Sequence, residues 1–244
     1  MNREMQFVAH LEEMRKRLLF TLVSFLVALC GAFLYAKSIY RWLVSGFDGQ
    51  LAVLGPTDLL WVYVMIAGVF AIAVTIPVAG YQVWKFVKPG LTPDEQKATL
   101  GFIPALAVLF AVGVCFGYFV LFPMVLSFLK AMAEDQVQVM YTADKYFRFM
   151  INLTVPFGLL FEMPVIVMFL TRLGILNPVR LAKARKMAYF LLVVISITIT
   201  PPDFVSDILV TVPLLILYEI SISLSKWVYR KKLSDGVQGA QGVN

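Results

Sequence analysis

The chain has 244 residues, of which 60% are hydrophobic and only 15% charged, and its mean hydropathy is +0.83. That composition excludes an ordinary soluble domain and reads as a membrane protein. The formal charge is +6 with a single histidine, His10, so two-His metal motifs and His-based catalytic triads are ruled out; no GxxxxGK[ST] run is present either, which excludes P-loop nucleotide hydrolysis.

A helix crossing about 30 Å of hydrocarbon needs about 20 mostly apolar residues. Six runs qualify as candidates: 18–36, 59–84, 98–129, 149–170, 188–202 and 208–225. The first follows a charged amphipathic segment without a convincing small-x-small cleavage site, so it is expected to stay on the protein. The third is long enough that it must tilt, kink or project, with Pro104 and Pro123 as the expected kink or exit points. The fourth carries one acid, Glu162, and the sixth is interrupted by Glu219. The last two runs are short and joined by only Asp203 to Asp207, a tight hairpin expected to thin the bilayer locally. Residues 1–233 thus form one transmembrane domain, and the tail 234–244, SDGVQGAQGVN, reads as disordered. Cys30 and Cys115 lie within apolar runs and are expected to be buried small hydrophobes, not a disulfide.

The basic residues give an orientation. The N-terminal segment, the second and fourth connections and the tail hold sixteen Lys and Arg, against five in the other connections. By the positive-inside rule both termini are cytoplasmic, and the basic excess is topogenic, not a nucleic-acid footprint. The two long extracytoplasmic connections, 37–58 and 130–148, are expected to fold back over the helix ends. Gly113-Val114-Cys115-Phe116-Gly117 is a small-xxx-small pattern that admits a neighbouring helix of this chain or of a second copy.

Three glutamates stand out. In HLEEMRKRLL, Glu12 precedes Lys16 and Glu13 precedes Arg17 by four residues, the favourable order for helical ion pairs. In KPGLTPDEQK, Thr92 to Glu95 is a capping box with proline at the first helical position. Both acids have a second reading, because carboxylates at the cytoplasmic surface within a basic rim can accept a cationic guest. Arginine fits best, since its planar fork makes paired charge-assisted hydrogen bonds that lysine cannot reproduce. Glu162 sits at lipid depth, where a bare carboxylate costs roughly 2.5–3.5 kcal/mol. It is therefore expected to face protein or a water-filled concavity, in a backbone bent between Pro156 and Pro164. Either it is a protonated acid bonded to a neighbouring helix, or it is a polar spot for a ligand or a partner's transmembrane segment. No second carboxylate near it supports paired-acid catalysis, and no enzyme activity is expected.

Taken together, HLEEMRKRLL, YQVWKFVKPGL, FGYFVLFP, FGLLFEMP, TPPD and LLILYEI, in that order between His10 and Glu219, resemble the TatC family, the core component of the twin-arginine protein translocase. The resemblance implies an all-α integral membrane protein with six transmembrane helices, N-in and C-in, in a concave glove-like arrangement with short fifth and sixth helices. It implies a receptor for Arg-Arg signal peptides in a bacterial or archaeal cytoplasmic membrane. With TatA-type single-span partners, and a TatB-like protein or further copies of itself, such a receptor moves folded proteins using the proton-motive force, without a cofactor. Glu13 matches the acid of the family's N-terminal motif, Arg15 and Arg17 its basic positions, and Glu95 the acid of the first cytoplasmic loop, which Phe86 and Pro89 shape. Glu162 matches the buried glutamate of the fourth helix, which the resemblance places on the concave face. Pro202 and Asp203 match the motif at the top of the hairpin. Met14 stands where the family usually has leucine, and the first extracytoplasmic loop departs from the pattern apart from Pro56-Thr57. The rival class, a secondary transporter or permease, should show paired broken helices and a substrate-sized set of intramembrane polar groups, whereas here that inventory is sparse.

Overall fold

The computed structural model describes residues 3–45, 51–133, 140–200 and 203–241. Ten α-helices are described: α1 Arg3–Val44, α2 Pro56–Val87, α3 Pro93–Leu100, α4 Phe102–Phe116, α5 Phe122–Ala133, α6 Ala143–Leu160, α7 Met163–Arg172, α8 Pro178–Lys183, α9 Arg185–Ile199 and α10 Phe204–Gln241. Five stretches are long and apolar enough to cross a membrane: Leu11–Val44, Pro56–Gly90, Glu95–Met132, Ala143–Arg172 and Phe204–Lys231. Their outward surfaces carry Leu18, Phe20, Val27, Leu34, Val108, Ile166 and Ile216 in the open. Apolar side chains on that scale are what a lipid-facing surface requires, so this is a multi-pass membrane protein.

Proline chemistry sets where the long helices break. Pro123 lacks an N–H and its ring crowds the carbonyl four residues back, and a π-helical turn, Gly117–Leu121, widens the backbone just before it. Pro104 is accommodated in the first turn of α4, where its missing N–H has no helical partner to lose. Pro164, in the first turn of α7, forces the interruption at Phe161-Glu162, whereas Pro156 stays inside α6. The amphipathic segment and the first span are one continuous helix, α1.

The chain divides into two compact units, Met1–Leu91 with Lys130–Asn152, and Thr92–Leu129 with Leu153–Asn244. In the first, α1 lies along α2 over small and β-branched side chains: Ala36, Val62, Ile66, Ala67 and Ala71 are all buried. Its two long connections are tied to each other. Ala52 donates to the Tyr141 carbonyl at 2.9 Å and accepts from Ala143 at 2.8 Å, forming a parallel bridge. Tyr40 stacks on Phe147 at 5.3 Å and meets Tyr63 edge-on at 5.7 Å. Much of what the sequence reads as loop here is helix, since α1 runs to Val44 and α6 starts at Ala143.

In the second unit the glycine pattern finds its partner within the chain. A Cβ on Gly113 would lie 2.7 Å from the Phe157 carbonyl oxygen and 2.8 Å from the Gly158 Cα, and one on Gly117 would lie 2.8 Å from the Thr154 Cα. The helices of the third and fourth spans therefore touch backbone to backbone, with Phe110 and Phe157 fully buried beside the contact. Between apolar helices in lipid such close packing supplies the attraction, because burial of apolar surface adds nothing over lipid contact. Farther along, α7 meets α10 through a buried hydrogen bond of 2.7 Å between the Thr171 and Ser225 hydroxyls.

Two expectations need correction. α9 is short at 15 residues, but the apolar part of α10 spans 28 and is not a short helix. Beyond it α10 continues to Gln241. Cys30 and Cys115 are exposed on their helices, not buried. A thiol is apolar enough to face lipid, and the glycines of the third span, not Cys115, take its packed face.

Candidate functional site

Both ion pairs expected on α1 are present. Lys16 reaches Glu12 at 3.0 Å with both side chains well exposed, so this pair is screened and contributes a few tenths of a kcal/mol. The Glu13–Arg17 pair is different. The Arg17 side chain is only 15% exposed, against 41% for Glu13. Arg17 donates one terminal nitrogen to Glu13 Oε1 and the other to the Gln82 carbonyl on α2, at 3.4 Å for the latter. Beside the pair opens a cavity of about 420 Å³ lined by Glu13, Lys16, Arg17, Phe20, Tyr81, Gln82 and Lys85. Arg15 is exposed on another face of α1.

The loop after α2 closes with a 3₁₀ turn, Lys88–Gly90, in which Pro89 supplies the fixed φ. Lys88 lies over the Trp84 ring at 5.3 Å, and Phe86 is half-buried at the end of α2. The capping box is formed: Thr92 Oγ1 accepts from the Glu95 amide at 3.4 Å, and Glu95 Oε2 accepts from the Thr92 amide at 3.2 Å. Both bonds are long, so the cap is a weak one.

Glu162 is 4% exposed and immediately precedes α7. Pro164 and Val165 beside it are buried. Among the described residues neither carboxyl oxygen completes a hydrogen bond of normal geometry. The acid faces protein, as its depth requires.

Sequence reasoning missed a polar cluster in the α9–α10 hairpin. Arg185 forks onto Glu219, Nε to Oε1 and Nη2 to Oε2, each at 2.8 Å, and the Tyr189 hydroxyl donates to Oε1 at 2.5 Å. Tyr218 donates to the Leu181 carbonyl at 3.1 Å. The pairing has a sequence signal: Arg185 and Glu219 are each 17 residues from position 202, so an antiparallel hairpin turning there brings them level. At the turn, Asp203 Oδ2 accepts from the Ser206 amide at 2.7 Å, capping α10, while Thr200 donates to Asp207. Pro202 lies outside the described residues. Asp58 does similar work at the start of α2, accepting from the Gly55 amide at 2.9 Å, which explains Pro56-Thr57-Asp58 as a helix start. Among the described residues no group of three or more His, Cys, Asp or Glu is placed to hold a metal ion.

Fold and site together define a multi-pass helical membrane protein whose polar groups are few and gather in ion pairs, hydrogen-bonded pairs between helices and helix caps. The sequence profile of the Sec-independent protein translocase protein (TatC) family matches residues 9–213. The chain is 58% identical over 238 residues to the Sec-independent protein translocase protein TatCd of Bacillus subtilis, covering 98% of each chain. It is 47% identical to TatCy of the same organism, over 93% of this chain and 91% of the relative. A crystal structure of the twin arginine translocase receptor TatC superposes with a TM-score of 0.78 at 33% identity, over 90% of this chain and 99% of that one. The chain therefore belongs to the TatC family, whose members are components of the Sec-independent translocase and not enzymes.

Proposed function

We propose that this chain is the twin-arginine signal-peptide receptor and core of a Tat translocase, exporting folded proteins across the cytoplasmic membrane. TatA-type single-span proteins, with a TatB-like protein or further copies of the chain, assemble with it and use the proton-motive force. The observation that carries the reading is Glu13, a part-exposed carboxylate in the wall of a cavity flanked by Phe20 and Tyr81. A guest guanidinium there gains charge-assisted hydrogen bonds worth about 1.5–3 kcal/mol each, together with an aromatic face to stack on. Glu95 is the second arginine acceptor, on a loop shaped by Phe86 and Pro89, with Arg15 and Arg17 as the basic positions of the α1 motif. Glu162 is a polar spot for the signal peptide or a partner's transmembrane helix, and Asp203, which caps α10, belongs with Pro202 to the motif of the extracytoplasmic hairpin.

In this reading α9 is a sixth span. Its 15 residues reach only about 22 Å, so it crosses where the bilayer is thinned. Both termini are cytoplasmic, on the distribution of Lys and Arg. The test is photocrosslinking of a twin-arginine peptide and its Lys-Lys counterpart, with probes beside Glu13 and Glu95. Crosslinks that form with the arginine peptide and fade with the lysine one are the expected result; equal crosslinking, or none at either position, would refute the binding role.

A further inference from the structure

We propose that Arg17 acts as a resident competitor for Glu13, setting the affinity threshold that any cationic guest of that carboxylate must exceed. The inference rests on the reading of Glu13 as an arginine acceptor and assigns Arg17 a role distinct from contact with the peptide. A guest cannot add itself to a vacant Glu13, because Arg17 already holds Oε1 and is itself largely shielded from solvent. Binding at Glu13 is an exchange of one cation for another.

The geometry decides which guests win that exchange. The Arg17 guanidinium is divided between two acceptors on two helices, Glu13 on α1 and the Gln82 carbonyl on α2. It is not forked onto one carboxylate, the arrangement Arg185 achieves with Glu219. An incoming guanidinium brings two parallel N–H groups to the carboxylate, and the displaced Arg17 keeps Gln82 as an acceptor. An incoming ammonium brings a point charge with no such directional gain. Charge alone does not favour entry, since Lys16, Arg17 and Lys85 line the same cavity against the single carboxylate of Glu13. Directional bonding and stacking on Tyr81 therefore carry the discrimination, and Arg17 sets the threshold that a guest must exceed.

The test measures affinities of a twin-arginine peptide and its Lys-Lys counterpart for the full-length protein in lipid nanodiscs, for wild type, Arg17→Gln and Arg17→Lys. With the competitor removed in Arg17→Gln, both peptides are expected to gain roughly tenfold with their ratio little changed, because displacing Arg17 costs the same for either guest. Arg17→Lys, a weaker competitor that retains the charge, should raise both affinities partway, and it decides the matter if Arg17→Gln fails to fold by circular dichroism. Affinities unchanged in the folded variants, or both peptides weakening together as a purely structural role would give, overturn the inference. A wild type that does not prefer the arginine peptide removes the reading of Glu13 itself, and this inference with it.

Discussion

Glu95 has two duties that can be separated by magnitude. Replacing it with alanine removes a capping acceptor and, under the proposed function, an arginine-binding carboxylate. The capping bonds are 3.2 and 3.4 Å, on an exposed turn, so their loss costs about 0.5–1 kcal/mol. For a chain of this size that lowers the melting temperature by about 1–4 °C. Even from a stability of about 5 kcal/mol it leaves only about one molecule in a thousand unfolded, far too few to stop export. Losing two charge-assisted hydrogen bonds to a guest arginine instead removes about 3–6 kcal/mol, or roughly 10²–10⁴-fold in affinity. Glu95→Ala is therefore expected to abolish export of an Arg-Arg reporter while the protein still inserts. Glu95→Gln, which keeps an acceptor for the Thr92 amide but loses the charge, should fail nearly as badly. Thr92→Ala, which removes the cap and leaves the carboxylate, should export normally. The measurements are reporter export and peptide affinity, with thermal melts in detergent as the control. If Thr92→Ala is as damaging as Glu95→Ala, or if Glu95→Ala exports and binds like wild type, the binding role is wrong and only the cap remains.

Gly113→Ala pushes a methyl to within 2.7 Å of the Phe157 carbonyl oxygen, a backbone atom that cannot rotate away, so it should destabilise by about 1–3 kcal/mol. Gly68→Ala, which meets nothing within 4 Å, should instead be neutral or stabilising by up to about 1 kcal/mol through helix propensity; equal unfolding curves in SDS titrations for the two variants would show that the glycine contact carries no weight. For Glu162, glutamine is expected to support export better than alanine, because it fills the buried site with a neutral hydrogen-bonding group whereas alanine leaves a cavity costing about 2 kcal/mol. Should both variants export equally well, no polar group is needed at that position.

What the sequence determined by itself is everything that one turn of helix or one proline dictates. The Glu12–Lys16 and Glu13–Arg17 pairs and the Thr92–Glu95 box join residues three or four apart, so helix geometry alone places them. Pro123 and Pro164 mark their breaks because a missing N–H acts locally, and five of the six apolar runs lie in span-length apolar helices because lipid leaves the backbone no other partner. The order of the motifs likewise sufficed to place the chain in its family.

Tertiary structure alone decided which faces meet. The Gly113 pattern fits a neighbour in the same chain or in a second copy equally well, and only packing shows Gly158 and Thr154 opposite. Cys115, in the same run, turned out to face outward because the glycines take the buried side. The Arg185–Glu219 fork joins residues 34 apart, a pairing set by the α9–α10 hairpin and not by any local rule. Glu162 shows the division within one residue. The cost of a carboxylate in lipid sends it toward protein, but the absence of a hydrogen-bonding side chain opposite it, among the described residues, follows from how α4, α6 and α7 pack in that unit.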